Sequence, residues 1–362
     1  MFGRTPKQVI TFILIKSLIT YYAMQKVNKT ERKLSSMNRM PFFDNARLVL
    51  IFLVVFGHMI QPFATDSQLI NSIYAFIYIF HMPMFIMLAG FFAKGIGKPK
   101  YILNLAKKLL LPYLMFQGLY TLLYFLLGRE EWYKGILHPQ WAMWFLISLF
   151  CWHILLVLFK RMPAVASILL AVFIGIAIGY VDLSAYGLSL SRTFAFFPFF
   201  LAGYFMTKEH VQLIKTKALS TASVIFMIAL FTFIYLFINV DVTLDTDWLS
   251  GAVAYQRLEA EISGGLMRLI IYILAALLIV SMIALIPSGD FGWLTKIGEK
   301  TLYVYLLHGF IIQPFREFEI LWYNHWYETF WFVLLSALIV ILLSSKPVVA
   351  LTRPLVELKW KK

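Results

Sequence analysis

Residues 46–64 read ARLVLIFLVVFGHMIQPFA, an apolar run whose one formally charged side chain, Arg47, stands at its start. At about 1.5 Å per residue, a run of this length can carry a helix across most of the roughly 30 Å of bilayer hydrocarbon. Nine similar runs follow, at 70–92, 109–127, 141–159, 163–180, 193–206, 219–239, 266–286, 301–314 and 329–345, bounded by charged residues or by Gly and Pro. Those starting at 193 and 301 are short, so their helices are expected to begin earlier, near Leu190 and Trp293. Of the 362 residues, 61% are hydrophobic, 17% aromatic and only 14% charged, whereas soluble domains carry about 25% charged residues. That excludes a soluble globular protein. The expected fold class is all-α: a polytopic membrane helix bundle of about ten transmembrane helices. Cys151 is the only cysteine, which excludes an intramolecular disulfide and any Cys-rich metal site, and no metal is predicted.

The formal net charge of +14 could suggest nucleic-acid binding, but the placement of the charges argues otherwise. Lysines and arginines crowd the segments on one side of the ten spans: eight in residues 1–45, five in 93–108 and five after 345. The opposite side holds six, Arg129, Lys134, Arg192, Arg257, Arg268 and Arg316, and most of the acidic residues. Positive residues stay inside, so both termini are expected in the cytoplasm, with the surplus facing anionic lipid rather than nucleic acid. Three regions result: a basic N-terminal extension over 1–38, a transmembrane domain over 39–345 and a basic cytoplasmic tail over 346–362. Within the first, Val9 to Met24 is apolar but interrupted by Lys16, which favours an amphipathic helix on the inner membrane surface over an eleventh span or a leader.

Ionisable groups inside a membrane are costly, so each one in a span is a candidate for function. Arg47 and His58 lie eleven residues apart, a rise of about 16 Å and a rotation within about 20° of whole turns, so they share one helix face. With the N-terminus inside, Arg47 is at the cytoplasmic mouth and His58 is deep in the bilayer. His81 precedes Pro83, where a kink or a broken helix is expected because proline cannot donate and clashes with the preceding turn. Thr301, Tyr305 and His308, at i, i+4 and i+7, make one polar stripe. His153, beside Trp152, has no such stripe and reads as structural. Arg192 precedes the aromatic run TFAFFPFF and suits stacking on sugar rings and hydrogen bonding to hydroxyls or phosphates. Trp141 and Trp144 read as an interfacial aromatic belt rather than a sugar platform. Lys94, Lys98, Lys100, Lys107 and Lys108 set topology and could also dock the phosphates of a nucleotide-bearing donor. Neither GxxxxGK[ST] nor GxGxxG occurs.

The run RMPFFDNARLVLIFLVVFGHMIQP (39–62), with its arginine eleven positions before a histidine, resembles the first-helix signature of the acyltransferase family 3 membrane proteins. FHMPMFIMLAGFF (80–92), WAMWFL (141–146), RTFAFFPFFLAGY (192–204) and GEKTLYVYLLH (298–308) follow in that family's order, over roughly residues 39–345. The fucose 4-O-acetylase-like and polysaccharide-intercellular-adhesin-type members are the most similar. The resemblance implies a bundle of about ten helices that takes cytoplasmic acetyl-CoA, or a related acyl-CoA, and acylates a hydroxyl of a cell-envelope or exported glycan. By motif match, Arg47 and His58 inherit the family's essential pair. The chain departs from the family after span two, where many members carry paired arginines and this one has lysines. An appended esterase-like domain is also missing, so a partner protein or lipid carrier is expected to present the acceptor. The resemblance further implies a bacterial plasma membrane.

These expectations combine into a membrane O-acyltransferase. His58, as a neutral imidazole among apolar side chains, would accept the proton of the acceptor hydroxyl, or would itself attack the thioester. Arg47 would orient the donor, with Lys107 and Lys108 holding its phosphates. His81, Tyr305 and His308 would line the chamber, and Arg192 would face the acceptor. The rival reading is a transporter or flippase of a glycan or lipid-linked sugar. It is disfavoured because the spans carry few of the acidic groups that proton-coupled carriers need.

Overall fold

The computed structural model describes residues 40–96, 100–130, 132–133, 135–183, 187–237 and 246–357; the helix expected over 9–24 lies outside these residues. The described chain is all helical, with no strand among the described residues. The first helix, α1 (Pro41–Ile60), opens on a proline, whose missing N–H costs nothing at a helix start, and carries Asp44 in its first turn. A 3₁₀ turn, Gln61–Phe63, continues it. Then come α2 (Gln68–Phe91), capped by the Ser67 hydroxyl, and α3 (Tyr101–Leu126). A 3₁₀ turn at Trp141–Met143 leads into α4 (Trp144–Phe159), which is followed by α5 (Ala164–Ala177) and α6 (Leu190–Phe205). Next are α7 (Lys208–Ile214), α8 (Lys217–Phe237), the short α9 (Thr246–Ser250) and α10 (Gly264–Leu285). The chain then runs through α11 (Trp293–Gly298), α12 (Thr301–Leu307), α13 (Gly309–Glu317), α14 (Glu328–Leu343) and α15 (Lys346–Glu357).

Each of the ten apolar runs falls on helix, but among the described residues six helices are long and apolar enough to cross a membrane by length and composition: Pro41–Phe63, Gln68–Phe91, Tyr101–Leu126, Trp141–Phe159, Lys217–Phe237 and Gly264–Leu285. A seventh arises if α14 and α15 are counted together across their 65° bend. The helix after Pro163 is shorter, at Ala164–Tyr180, and α6 does begin at Leu190, as expected. The chain also turns helical at Trp293, but it breaks before Thr301. At that break Gly298 lies against the α1 backbone, where an added Cβ would stand 1.9 Å from the Asp44 carbonyl oxygen. Asn45 holds the same corner by donating to the Pro287 and Gly289 carbonyls, both at 2.9 Å, and accepting from Thr295 Oγ1 at 2.8 Å. Residues 346–357, expected as part of a tail, form α15; its Val356 is buried, and Tyr303 Oη donates to Glu357 Oε1 at 2.8 Å.

Of the two outcomes expected at Pro83, the broken helix is not found: α2 runs on from Gln68 to Phe91 with the proline inside it. Where α2 meets α6, a Cβ on Gly90 would stand 2.0 Å from the Phe200 carbonyl oxygen, and one on Gly203 would stand 1.8 Å from that of Met87. Two glycines let the backbones touch, one to two turns beyond the proline. The Gly203→Leu variant is accordingly expected to lose about 1–3 kcal/mol or more through overpacking. The check is its melting in detergent; a melting temperature equal to the parent's would show that the helices do not meet there.

Candidate active site

His58 stands in the last turn of α1, where backbone carbonyls lack helical partners. Arg316 of α13 supplies one: its Nη2 donates both to the His58 carbonyl and, at 2.9 Å, to Gln61 Oε1. The His58 ring is held on three sides. Its Nδ1 lies 3.2 Å from Tyr78 Oη, its centroid is 4.5 Å from that of Trp141, and His308 packs against it at 5.6 Å. Trp141 has φ +42°, a backbone state rarely adopted outside glycine. Its ring fits because residue 309 is glycine: a Cβ there would stand 2.3 Å from both the Trp141 ring and Tyr120 Oη. Tyr305 Oη donates to the Ala142 carbonyl and Tyr120 Oη to that of Leu306 (3.1 Å), which fixes the turn carrying Trp141 onto α12. The belt expected of Trp141 and Trp144 is therefore corrected, since both point into the bundle and line a cavity.

That cavity, of about 200 Å³, is lined by His58, Gln61, Tyr78, His81, Arg192 and Tyr305, among others. A second cavity, of about 430 Å³, lies toward the Arg47 end, lined by Arg47, Phe92, Tyr101, His153, Glu299 and Thr301, among others. Val54, Met82 and Tyr305 line both, so these three side chains form a shared wall. Val54 is seven residues after Arg47 and four before His58, so the helical face expected from the sequence runs from one cavity through this wall into the other.

The buried histidines have assignable tautomers. His81 Nδ1 lies 2.9 Å from the Ile77 carbonyl, His308 Nδ1 3.0 Å from that of Val304, and His153 Nδ1 2.7 Å from that of Leu149. A carbonyl only accepts, so each neutral ring carries its proton on Nδ1 and keeps a lone pair on Nε2. His308 Nε2 is buried with no partner. Of the residues expected to form a site, His58, His81, Tyr305 and Arg192 are brought to one cavity, and His308 sits behind the His58 ring. Arg192 lies with its guanidinium 5.1 Å from the Trp144 ring centre. Arg47 is in the other cavity, paired with Asp44 Oδ1 at 3.1 Å and lying 4.3 Å over the Phe92 ring. Lys107 and Lys108 are exposed on α3 and line neither cavity. Lys94 donates to the Tyr204 and Met206 carbonyls, the latter at 3.1 Å, and its partial burial lowers its pKa.

Several participants escaped the sequence reading. Arg316 was counted only as an outer charge, and Gln61, Tyr78 and Met82 carry no pattern that marks them. Glu299 sits inside a matched motif, GEKTLYVYLLH, but only the structure places it with Arg47 in the lining of the larger cavity.

The chain is 35% identical over 78 residues to the nodulation protein NolL of Sinorhizobium fredii, covering 21% of each chain. It is 38% identical over 61 residues to NolL of Mesorhizobium japonicum, covering 16% of each. The matched part thus spans about a fifth of the length of these curated relatives. No solved structure matches the chain. The family model described as an acyltransferase domain matches residues 40–345, from the start of α1 to the end of α14, and the chain therefore belongs to the acyltransferase 3 family.

Proposed function

We propose that the protein is a membrane O-acyltransferase of a bacterial plasma membrane, moving an acetyl or similar acyl group from cytoplasmic acyl-CoA to a hydroxyl of a cell-envelope glycan. The observation that carries this reading is the pair of cavities meeting at Val54, Met82 and Tyr305. Two substrates of opposite character arriving from opposite sides need two chambers with one thin partition. In this reading both termini are cytoplasmic, the weakly apolar spans complete ten crossings within the bundle, and the Arg47 cavity opens inward.

The larger cavity suits a thioester arm: Leu88, Phe92 and Leu105 make apolar walls, and Arg47 stands among them as an anchor for anionic donor groups. Tyr101 and Leu105 line it, and Lys108 follows them at i+7 and i+3 on the same face of α3, where it would meet the donor's phosphates at the mouth. Lys107, one residue round the helix, adds charge at longer range. In the smaller cavity this reading puts the proton of neutral His58 on Nδ1, 3.2 Å from Tyr78 Oη, and keeps Nε2 as the base. Nε2 takes the acceptor's hydroxyl proton as the oxygen attacks the thioester carbonyl. The tetrahedral intermediate then expels the thiolate, which takes that proton back. Arg192, at the other side of the cavity, faces the acceptor's remaining hydroxyls.

The deciding experiment follows radiolabel from acetyl-CoA to envelope glycan in membranes with and without the wild-type chain. Label on glycan only with the chain present supports the reading. Equal label in both, with donor and acceptor present, favours transport of a glycan intermediate instead. Arg47→Ala is expected to raise KM for acetyl-CoA about tenfold or more, the loss of one charge-assisted contact, with a smaller effect on kcat. Steady-state kinetics at varied donor checks it, and an unchanged KM would remove Arg47 from the donor site.

A further inference from the structure

Beyond Arg192, a third cavity of about 310 Å³ opens between loops at the end of the bundle that bears His58. Its walls come from segments far apart in sequence: His138 ahead of α4, Asp182 after α5, Ser189 and Ser191 at the start of α6, and Arg257 before α10. Arg192 is the one residue lining both this cavity and the one that holds His58. The walls are built rather than incidental. Arg257 grips Asp182 Oδ2 with Nε at 2.9 Å and Nη2 at 2.8 Å, and the Leu188 N–H donates to the Leu137 carbonyl at 2.6 Å. Gly187, Leu188 and Ser189 have φ of 66°, 54° and 50°, three left-handed residues in succession, two of them with side chains that resist that state. This turn aims the two serines and Arg192 around the opening.

The lining chemistry selects the occupant. Two serine hydroxyls, the Asp182–Arg257 pair and Arg192, whose guanidinium lies 5.1 Å from the Trp144 ring centre, offer donors and acceptors at close spacing beside apolar Leu190 and Val253. A phosphate headgroup would meet the Asp182 carboxylate, and an acyl chain would bury the charged groups without partners. A polyol, with hydroxyls for the polar groups and C–H faces for the apolar ones, matches this mixed lining.

We propose that this cavity is a second acceptor subsite, which holds the sugar adjoining the one acylated at His58, with Arg192 as the divider between the two sugars. The proposal rests on reading the His58 cavity as the acceptor end, and it makes the preferred acceptor a glycan of at least two sugars rather than a monosaccharide.

The test uses the full chain carrying His58→Ala in lipid nanodiscs, so that binding is measured without turnover. The probes are tritiated fragments from partial hydrolysis of envelope glycan, separated into monosaccharides and fragments of three to five sugars. The longer fragments are expected to bind about tenfold more tightly, the value of one well-made polar contact set. Adding Arg257→Ala, or Val253→Trp to fill the cavity, should shrink that preference to about threefold or less. The Asp182–Arg257 side chains are 38% and 57% exposed, so their loss leaves the fold intact. Equal binding of short and long fragments, a preference that survives both variants, or no binding of any fraction overturns the subsite. Wild-type transfer assays keep the two ideas apart: transfer without size preference sinks only the subsite, whereas size-dependent binding without transfer sinks only the acylation chemistry.

Discussion

His58→Ala, in protein that inserts and melts like the parent, is expected to lower acyl transfer by about a hundredfold to ten-thousandfold, the range that a positioned general base supplies. The placement of its neighbours limits what they can replace. His308 lies behind the His58 ring, fully buried, and His81, which lines the same cavity with its own Nε2 lone pair, stands on α2 and would restore only part of the lost proton transfer. Tyr78 touches His58 Nδ1 and so orients the ring rather than substituting for it. The variant also separates the two chemistries open to His58. If the ring attacks the thioester itself, brief incubation of the wild type with labelled acetyl-CoA and no acceptor leaves label on the protein, and His58→Ala abolishes that label. If the ring serves only as a base, neither protein retains label, while glycan acylation still collapses in the variant. Transfer at the parental rate in His58→Ala would remove His58 from the reaction.

How much of this was legible in the sequence differs between fold and site. The helical runs were legible because a membrane span must satisfy its backbone internally, which forces long apolar stretches. Their completeness was not. The backbone stays helical through His308, between α12 and α13, but that Gly309 there makes room for Trp141, about 170 positions away, shows only in the structure. At Pro83 the sequence left a kink and a break both open, and only the structure shows the helix continuous, with α6 packed on it at Gly90 and Gly203. The Arg47 to His58 face was legible because helical periodicity acts within one element. Arg316 was not, because its role at the His58 carbonyl is a contact across 258 positions, and nothing around it in the sequence distinguishes it from a boundary arginine. The inward turn of Trp141 was hidden for the same reason: an aromatic at a span's end looks the same whether it faces lipid or cavity.

The wall between the cavities supports the other large expected effect. Met82 lines both sides of it, next to Val54 and Tyr305. Methionine is unbranched and has three rotatable bonds, so it can move aside for a thin thioester arm where a rigid ring cannot. Met82→Trp is therefore expected to lower kcat by about a hundredfold, the cost of holding the reacting atoms even an ångström apart. Donor binding in the Arg47 cavity should stay within about threefold of the parent, because Arg47 and the residues at its mouth are untouched. Overpacking would cost about 1–3 kcal/mol of stability, so melting must be measured alongside, and Met82→Leu, close in volume, separates a plugged passage from a damaged fold. Leucine should retain most of the transfer. A tryptophan variant that binds acetyl-CoA and transfers acetyl at the parental rate would mean that the acyl group does not pass between Val54, Met82 and Tyr305, and the two-chamber mechanism would fall with it.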